Sequence, residues 1–195
     1  VAHGHRPAIG RQDARDQVQQ RGLAGSARTD DAHRLPGLLQ EGRYHCAVAN
    51  PPYITPKDRA LNQEYRNRYA SCHRQYSLAV PFMERIFRLA IWAEDDTQGA
   101  GYTGQITANS FMKREFGKKL IEEFLATEVD LTHVIDTSGA YIPGHGTPTV
   151  VLFGLNRGPA NGAIRAVLGI RGEPSRPPDP SKGLVWSSIR DFIDN

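Results

Sequence analysis

With 195 residues, 39% of them apolar and 23% charged, the chain has the length of one ordinary domain and enough apolar residues for a core, at a polar mean hydropathy of −0.50. Its longest strongly apolar run, Thr149–Leu155, is far too short to span a bilayer, and no basic start followed by an apolar stretch marks a secretory leader, which sets membrane and secreted classes aside. Cys46 and Cys72 share no CxxC spacing and suit a reducing cytoplasm, and a net charge of +3 is so mild that the placement of charges matters more than their sum.

Residues 1–34 are rich in Arg, Gln, Asp, Gly, Ala and His and carry no sustained apolar period, so they read as a poorly ordered arm. His3 and His5 form an H-x-H pair without further ligands, and no metal site is expected. From Arg43 the pattern turns globular. Tyr44–Ala49 is a short apolar run stopped by Asn50-Pro51-Pro52 and predicts a buried strand ending in a turn. Ile54–Gln75 is polar and basic, and reads as a long loop with at most one helical turn. Ser77–Asp95 carries Leu78, Phe82, Met83, Ile86, Phe87, Leu89, Ala90 and Trp92 at helical spacings, and Pro81 requires that the first turn include it.

Tyr102–Thr107 predicts a second strand, Lys113–Ala126 a helix with Phe116, Leu120, Ile121, Phe124 and Leu125 on one side, and Leu131–Asp136 a third strand. Ser138–Thr147 is a Gly-rich loop, Pro148–Leu155 the most β-prone run, and Ala163–Ile170 a further strand. Residues 171–183 hold Pro174, Pro177, Pro178 and Pro180 and read as extended, before a last helix at Leu184–Ile193. Alternation of strand and helix argues for an α/β layer with a mainly parallel sheet, with the strands after Ser138 pairing antiparallel at one edge. The chain divides into an arm at 1–34, a domain at 35–170, and at 171–195 a linker with the start of a further region.

Two basic clusters stand out. Lys57–Arg74 holds Lys57, Arg59, Arg66, Arg68 and Arg74 against Asp58 and Glu64, and Lys113–Lys119 holds Lys113, Arg114, Lys118 and Lys119 against Glu115. Both suit phosphate contacts. Taken alone, a solvated loop and a solvated helix face explain them better.

The residues that carry chemistry are Asn50-Pro51-Pro52-Tyr53, placed where a parallel strand ends and where ligands gather in open α/β sheets. Asn50 offers a side-chain carbonyl, and Pro51 a backbone carbonyl with no competing N–H. Two adjacent acceptors match the two hydrogens of an NH₂ group, orient its lone pair towards an electrophile and drain charge as a bond forms. Pro51 and Pro52 stiffen the turn, and Tyr53 offers a face on which a planar base stacks, worth about 1–3 kcal/mol. The bland alternative is a proline-stiffened strand exit with a satisfied Asn and a packed Tyr.

NPPY, together with the ordered blocks RYHCAVANPPYITPKDRALNQEYRNRY, SCHRQYSLAVPFMERIF, ITANSFMKREFGKKLIEEFL and LTHVIDTSGAYIPGHGTPTVVLFGLNR, resembles the adenine-specific DNA methyltransferases of a bacteriophage-exclusion (BREX) type 2 system, the PglX-type enzymes. The resemblance runs from about Arg43 to the C-terminus and leaves the arm outside it. It implies part of a Rossmann-like class I methyltransferase fold, the catalytic half of the sheet. It further implies transfer of a methyl group from S-adenosyl-L-methionine to the exocyclic amine of an adenine flipped out of double-stranded DNA, in the cytoplasm, in phage defence, with other proteins of that system as possible partners.

By the same resemblance Asn50, Pro51 and Tyr53 are catalytic-motif residues, Pro52 shapes the turn against the substrate, and Lys57 and Arg59 lie towards the DNA. Asn109 and Phe111 either line the base pocket or act as a helix cap (Asn109 or Ser110) and a core residue. In Gly144-His145-Gly146, His145 either meets phosphate or is a solvated loop residue, and Asp136 is more suited to holding its loop than to chemistry. The family's Gly-rich turn and acidic residue for the cofactor's ribose are not found ahead of Asn50, so the cofactor-binding residues are unassigned and the chain is expected to be a fragment. Two other functions stay open: a glutamine methyltransferase acting on protein, since a Gln amide presents the same NH₂, and a DNA-binding remnant without turnover.

Overall fold

The computed structural model describes residues 39–93, 99–144, 146–160, 162–168 and 172–193. The chain divides into two units, Val1–Gln40 and Glu41–Asn195, and the whole sheet belongs to the second. The expected arm at 1–34 lies outside the described residues.

Five strands form one sheet: β1 (Cys46–Ala49), β2 (Tyr102–Ala108), β3 (Asp130–Asp136), β4 (Thr149–Leu155) and β5 (Arg165–Val167), in the order β1-β2-β4-β3-β5. β1 runs parallel to β2 and β3 parallel to β5, while β4 is antiparallel to both of its neighbours, β2 and β3. Strands β1, β2, β3 and β5 therefore share one direction, and their carboxyl ends share one edge of the sheet. The antiparallel strand predicted at an edge is instead inserted between β2 and β3. Its sequence explains the position: Thr149–Leu155 is apolar and β-prone, so it gains ladder bonds and burial on both sides, whereas the short, exposed Arg165–Val167 takes the edge.

Among the described residues three α-helices accompany the sheet: α1 (Arg59–Arg68), α2 (Ala79–Leu89) and α3 (Leu184–Ile193). The predicted loop Ile54–Gln75 contains the ten-residue α1, which buries no residue and so offers no apolar period to read. It stands on local chemistry: Asp58 caps it by accepting from Leu61 N at 2.8 Å, and Gln63–Asn67 and Asn62–Arg66 bond one turn apart. Helix α2 has Pro81 in its first turn, as it must, and buries Val80, Met83 and Phe87. It stops at Leu89 rather than Asp95, because Tyr44 pairs with Ala90 and Tyr44 O accepts from Ile91 N, pulling the chain out extended beside the start of β1.

The helix predicted over Lys113–Ala126 is instead a 3₁₀ turn at Glu115–Gly117 and a π-helical stretch at Leu120–Leu125, preceded by another 3₁₀ turn at Asn109–Met112. Ala126 N bonds Ile121 O, five residues back. The wider π turn brings Phe124 and Leu125 together onto the face of Leu120, so all three are buried where an α-helix would splay them. These residues join Tyr76, Val80, Met83, Phe87, Phe111, Phe116, Val150 and Leu152 in one core on one face of the sheet, with Phe87 and Phe124 edge-to-face at 5.8 Å.

Among the described residues the other face is left open. The register row Val48–Gly104–Phe153 and the neighbouring Tyr102 point away from that core, with Val48 78%, Tyr102 62% and Phe153 42% exposed. β1, predicted as buried, is half open for the same reason and because, among the described residues, it pairs on one side only. Among the described residues no helix is long and apolar enough to cross a membrane.

Candidate active site

The turn after β1 is fastened at several points. Pro51 and Pro56 are buried, and Ile54 O accepts from Leu78 N at 2.8 Å, tying the turn to the start of α2. Prolines at 51, 52 and 56 fix φ along it, so little ordering is left for a ligand to impose. Asn50 sits exposed at the carboxyl end of β1, next to the Ala49–Gln105 register pair.

Tyr53 is half-buried, and its hydroxyl donates to Asn50 Oδ1 at 2.8 Å and lies 3.4 Å from Ile106 O on β2. Burial raises the Tyr53 hydroxyl above the ordinary tyrosine range, so it remains a donor at neutral pH. A carbonyl oxygen has two lone pairs. With Tyr53 on one, Asn50 Oδ1 keeps the other for an incoming N–H, and its amide is held by a hydroxyl that lies against the next strand. Tyr53, expected as a stacking face, thus also orients Asn50. The sequence carries no signal for the Ile106 carbonyl, which arrives only through the β1–β2 register.

The remaining candidates fall at the same sheet edge but differ in character. Asn109 follows β2 and is 6% exposed, and its backbone N bonds Pro148 O at 3.0 Å. Neither Asn109 nor Ser110 caps the 3₁₀ turn: the capping position is Ala108, with no side-chain bond. Phe111 is 5% exposed and belongs to the core. Pro52 and Lys57 are exposed on the turn, and Arg59 is exposed as the first residue of α1. Asp136 Oδ1 accepts from Ser138 N at 2.9 Å and so holds its own loop. His145, His3 and His5 lie outside the described residues.

Arg66 belongs to structure rather than to a ligand. Its guanidinium bonds Asn62 Oδ1 at 2.9 Å, Cys72 O at 3.3 Å and Arg74 O, and lies 5.2 Å from the centre of the Tyr76 ring. It closes the turn in which Arg74 adopts the left-handed φ of 51°.

Residues 10–142 match the model of the Eco57I restriction-modification methylases, about two thirds of the chain. The match begins inside the arm that the sequence blocks had left out of the resemblance, which corrects that boundary. The chain is 54% identical over 170 residues to the adenine-specific methyltransferase PglX of Streptomyces coelicolor, covering 85% of this chain and 14% of that protein; the PglX-type resemblance holds. It spans about a seventh of that relative's length. Over 82 residues it is 32% identical to the type II methyltransferase M.PaeR7I of Pseudomonas aeruginosa, covering 41% of this chain and 13% of that protein. Among solved structures, a modification subunit of a putative type I restriction enzyme from Vibrio vulnificus superposes with a TM-score of 0.46 at 17% identity, over 58% of this chain and 23% of that one.

Proposed function

The chain belongs to the Eco57I restriction-modification methylase family, and from that premise we propose that it carries the substrate-holding part of a DNA adenine methyltransferase acting in phage defence. The observation that carries this reading is the Asn50–Tyr53 turn: an exposed side-chain carbonyl, oriented by a tyrosine hydroxyl at 2.8 Å, at the carboxyl end of a strand. Asn50 Oδ1 and the Pro51 carbonyl hold the two hydrogens of the adenine amine. Pro52 shapes the turn, Tyr53 stacks on the base, and Asn109 lines the pocket from the 3₁₀ turn after β2. The adenine leaves the duplex because its amine is otherwise paired; extrusion costs a few kcal/mol, which stacking offsets.

The methyl group of this reading comes from S-adenosyl-L-methionine, whose sulfonium makes it electrophilic. Ahead of β1 the described residues are 39–45 alone, and their one acidic residue, Glu41, is paired with Arg85, so no cradle for the donor is assigned to them and no step is routed through it. The reading extends to double-stranded DNA as partner, other proteins of the phage-exclusion system as associates, a cytoplasmic location, and a partial methyltransferase catalytic domain over residues 35–170.

The test is to set this chain in place of the matching segment of the Streptomyces coelicolor relative and offer the graft duplex DNA or a Gln-containing peptide. The expected product is N6-methyladenine in DNA. Methylated glutamine would replace this reading with a protein methyltransferase, and salt-dependent DNA binding without transfer would leave a binding remnant.

A further inference from the structure

Strands β1 and β2 are parallel neighbours, so the segments that follow them leave from one edge of the sheet. One carries Lys57 and Arg59, the other Lys113 and Arg114. An ion pair between Arg74 and Glu115 joins the two segments directly. Two basic segments about fifty residues apart in sequence are thus brought to the sheet edge that Asn50 also occupies.

Within those segments the cations are not equivalent. Arg66 is consumed by carbonyls of its own turn and Arg74 by Glu115. Lys118 pairs with Glu122 at 3.8 Å and Lys119 with Glu123 at 3.7 Å, one helical turn on. Asp58, the acid nearest Lys57 and Arg59, spends its carboxylate capping Leu61 N. Lys57, Arg59, Lys113 and Arg114 are exposed, and no ion pair among the described residues neutralises them.

Both pairs sit on anchored backbone. Lys57 and Arg59 bracket the cap of α1. Lys113 and Arg114 span the link between two 3₁₀ turns whose Phe111 and Phe116 are core residues. There, Gly117 packs so closely that an added Cβ would lie 1.9 Å from Phe111 O. Anchored cations lose less freedom on meeting a ligand.

We propose that Lys57 with Arg59, and Lys113 with Arg114, form a two-sided clamp on the phosphates of the DNA strand that flank the adenine held at Asn50. The proposal rests on the DNA methyltransferase reading. The clamp holds the backbone on both sides of the extruded nucleotide, so it acts on DNA of any sequence.

The test measures binding of the full chain to a short fluorescein-labelled duplex by anisotropy as salt is raised. Each phosphate contact adds about 0.9 to the slope of log affinity against log salt. K57Q/R59Q and K113Q/R114Q should each flatten that slope by ~1.8, while K118Q/K119Q leaves it as in the parent chain. Equal flattening by all three pairs, no flattening by either clamp pair, or no measurable binding of the parent chain at low salt would each overturn the clamp. Circular dichroism of each variant shows that the fold is kept, as expected for exposed side chains. Methyl transfer is read separately in the graft carrying the same substitutions. N6-methyladenine formation with unaltered slopes removes the clamp and leaves the enzyme reading standing. Slopes that flatten as expected without any methyl transfer support the clamp and count against the enzyme.

Discussion

Tyr53 serves the turn with two different parts of its side chain. The hydroxyl fixes Asn50 through a 2.8 Å bond, and on the proposed reading the ring is the surface on which the base stacks. Removing only the hydroxyl separates them. In the graft, Tyr53→Phe is expected to slow methyl transfer about tenfold, the equivalent of one hydrogen bond of ~1.4 kcal/mol, with DNA affinity within about twofold of the parent by anisotropy. Tyr53→Ala, which removes the ring as well, should weaken binding of the extruded base by a further 1–3 kcal/mol. Equal losses in both variants would mean that the hydroxyl does no orienting.

Cys72 makes a second prediction at this scale. Burial pushes its thiol up to about 12, from an ordinary value of 9.0. The folded chain therefore keeps a proton that the unfolded chain releases between pH 9 and about 12. This contribution to stability is complete below pH 9 and lost as pH rises through that window, so the melting temperature should fall there, and less steeply in Cys72→Ala. In native alkylation at mildly alkaline pH, exposed Cys46 should label and buried Cys72 should not.

At the scale of elements, helix α1 and strand β4 depend on different physics and should respond differently. α1 buries nothing, so its cap matters locally. Asp58→Ala is expected to cost about 1 kcal/mol of helix stability, seen as faster hydrogen exchange in its first turn with a nearly unchanged urea midpoint. Strand β4 is clamped between two neighbours and lies under α2: a Cβ at Gly154 would stand 2.8 Å from Asp130 O and 2.9 Å from Phe87 Cε1. Gly154→Ala should therefore cost roughly 1–3 kcal/mol of global stability by overpacking, read as a lower urea midpoint with little change in slope.

This contrast also explains what was legible from the residues alone. Strands β2, β3 and β4 and helix α2 announce themselves through apolar runs and spacings because burial forms them, while β1 and β5 are legible as β-prone runs that the sheet leaves partly exposed. Helix α1, made by a cap and polar pairs, has no such pattern and reads as loop. The π turn at Leu120–Leu125 shows its apolar residues but not its geometry, since Leu120, Phe124 and Leu125 fit an α-helical stripe loosely and a wider turn well. At the site, Asn50, Pro51 and Tyr53 are visible as a motif. The approach of the Tyr53 hydroxyl to Ile106 O, and the ion pair of Arg74 with Glu115, belong to contacts between segments far apart in sequence.

For the whole molecule, the open sheet face is the feature with the widest consequence. Val48, Tyr102 and Phe153 expose apolar surface in adjoining register positions, and contiguous patches of this kind mark interaction surfaces. The folded chain should bind a hydrophobic dye such as ANS while retaining a cooperative melt, and Val48→Thr with Phe153→Thr should reduce that fluorescence without lowering helix content. Dye binding that persists unchanged would place the apolar surface elsewhere.

The central claim is that Asn50 holds the adenine amine at the moment of transfer, and one comparison tests it most directly. N6-methyladenine formation by the graft is measured beside its Asn50→Ala variant, with S-adenosyl-L-methionine affinity determined by calorimetry on both. The account predicts loss of transfer by two or more orders of magnitude, as for removal of a group that stabilises developing charge, with donor affinity essentially unchanged. Transfer that survives the substitution, or a loss traced to failed binding of the methyl donor, would contradict it.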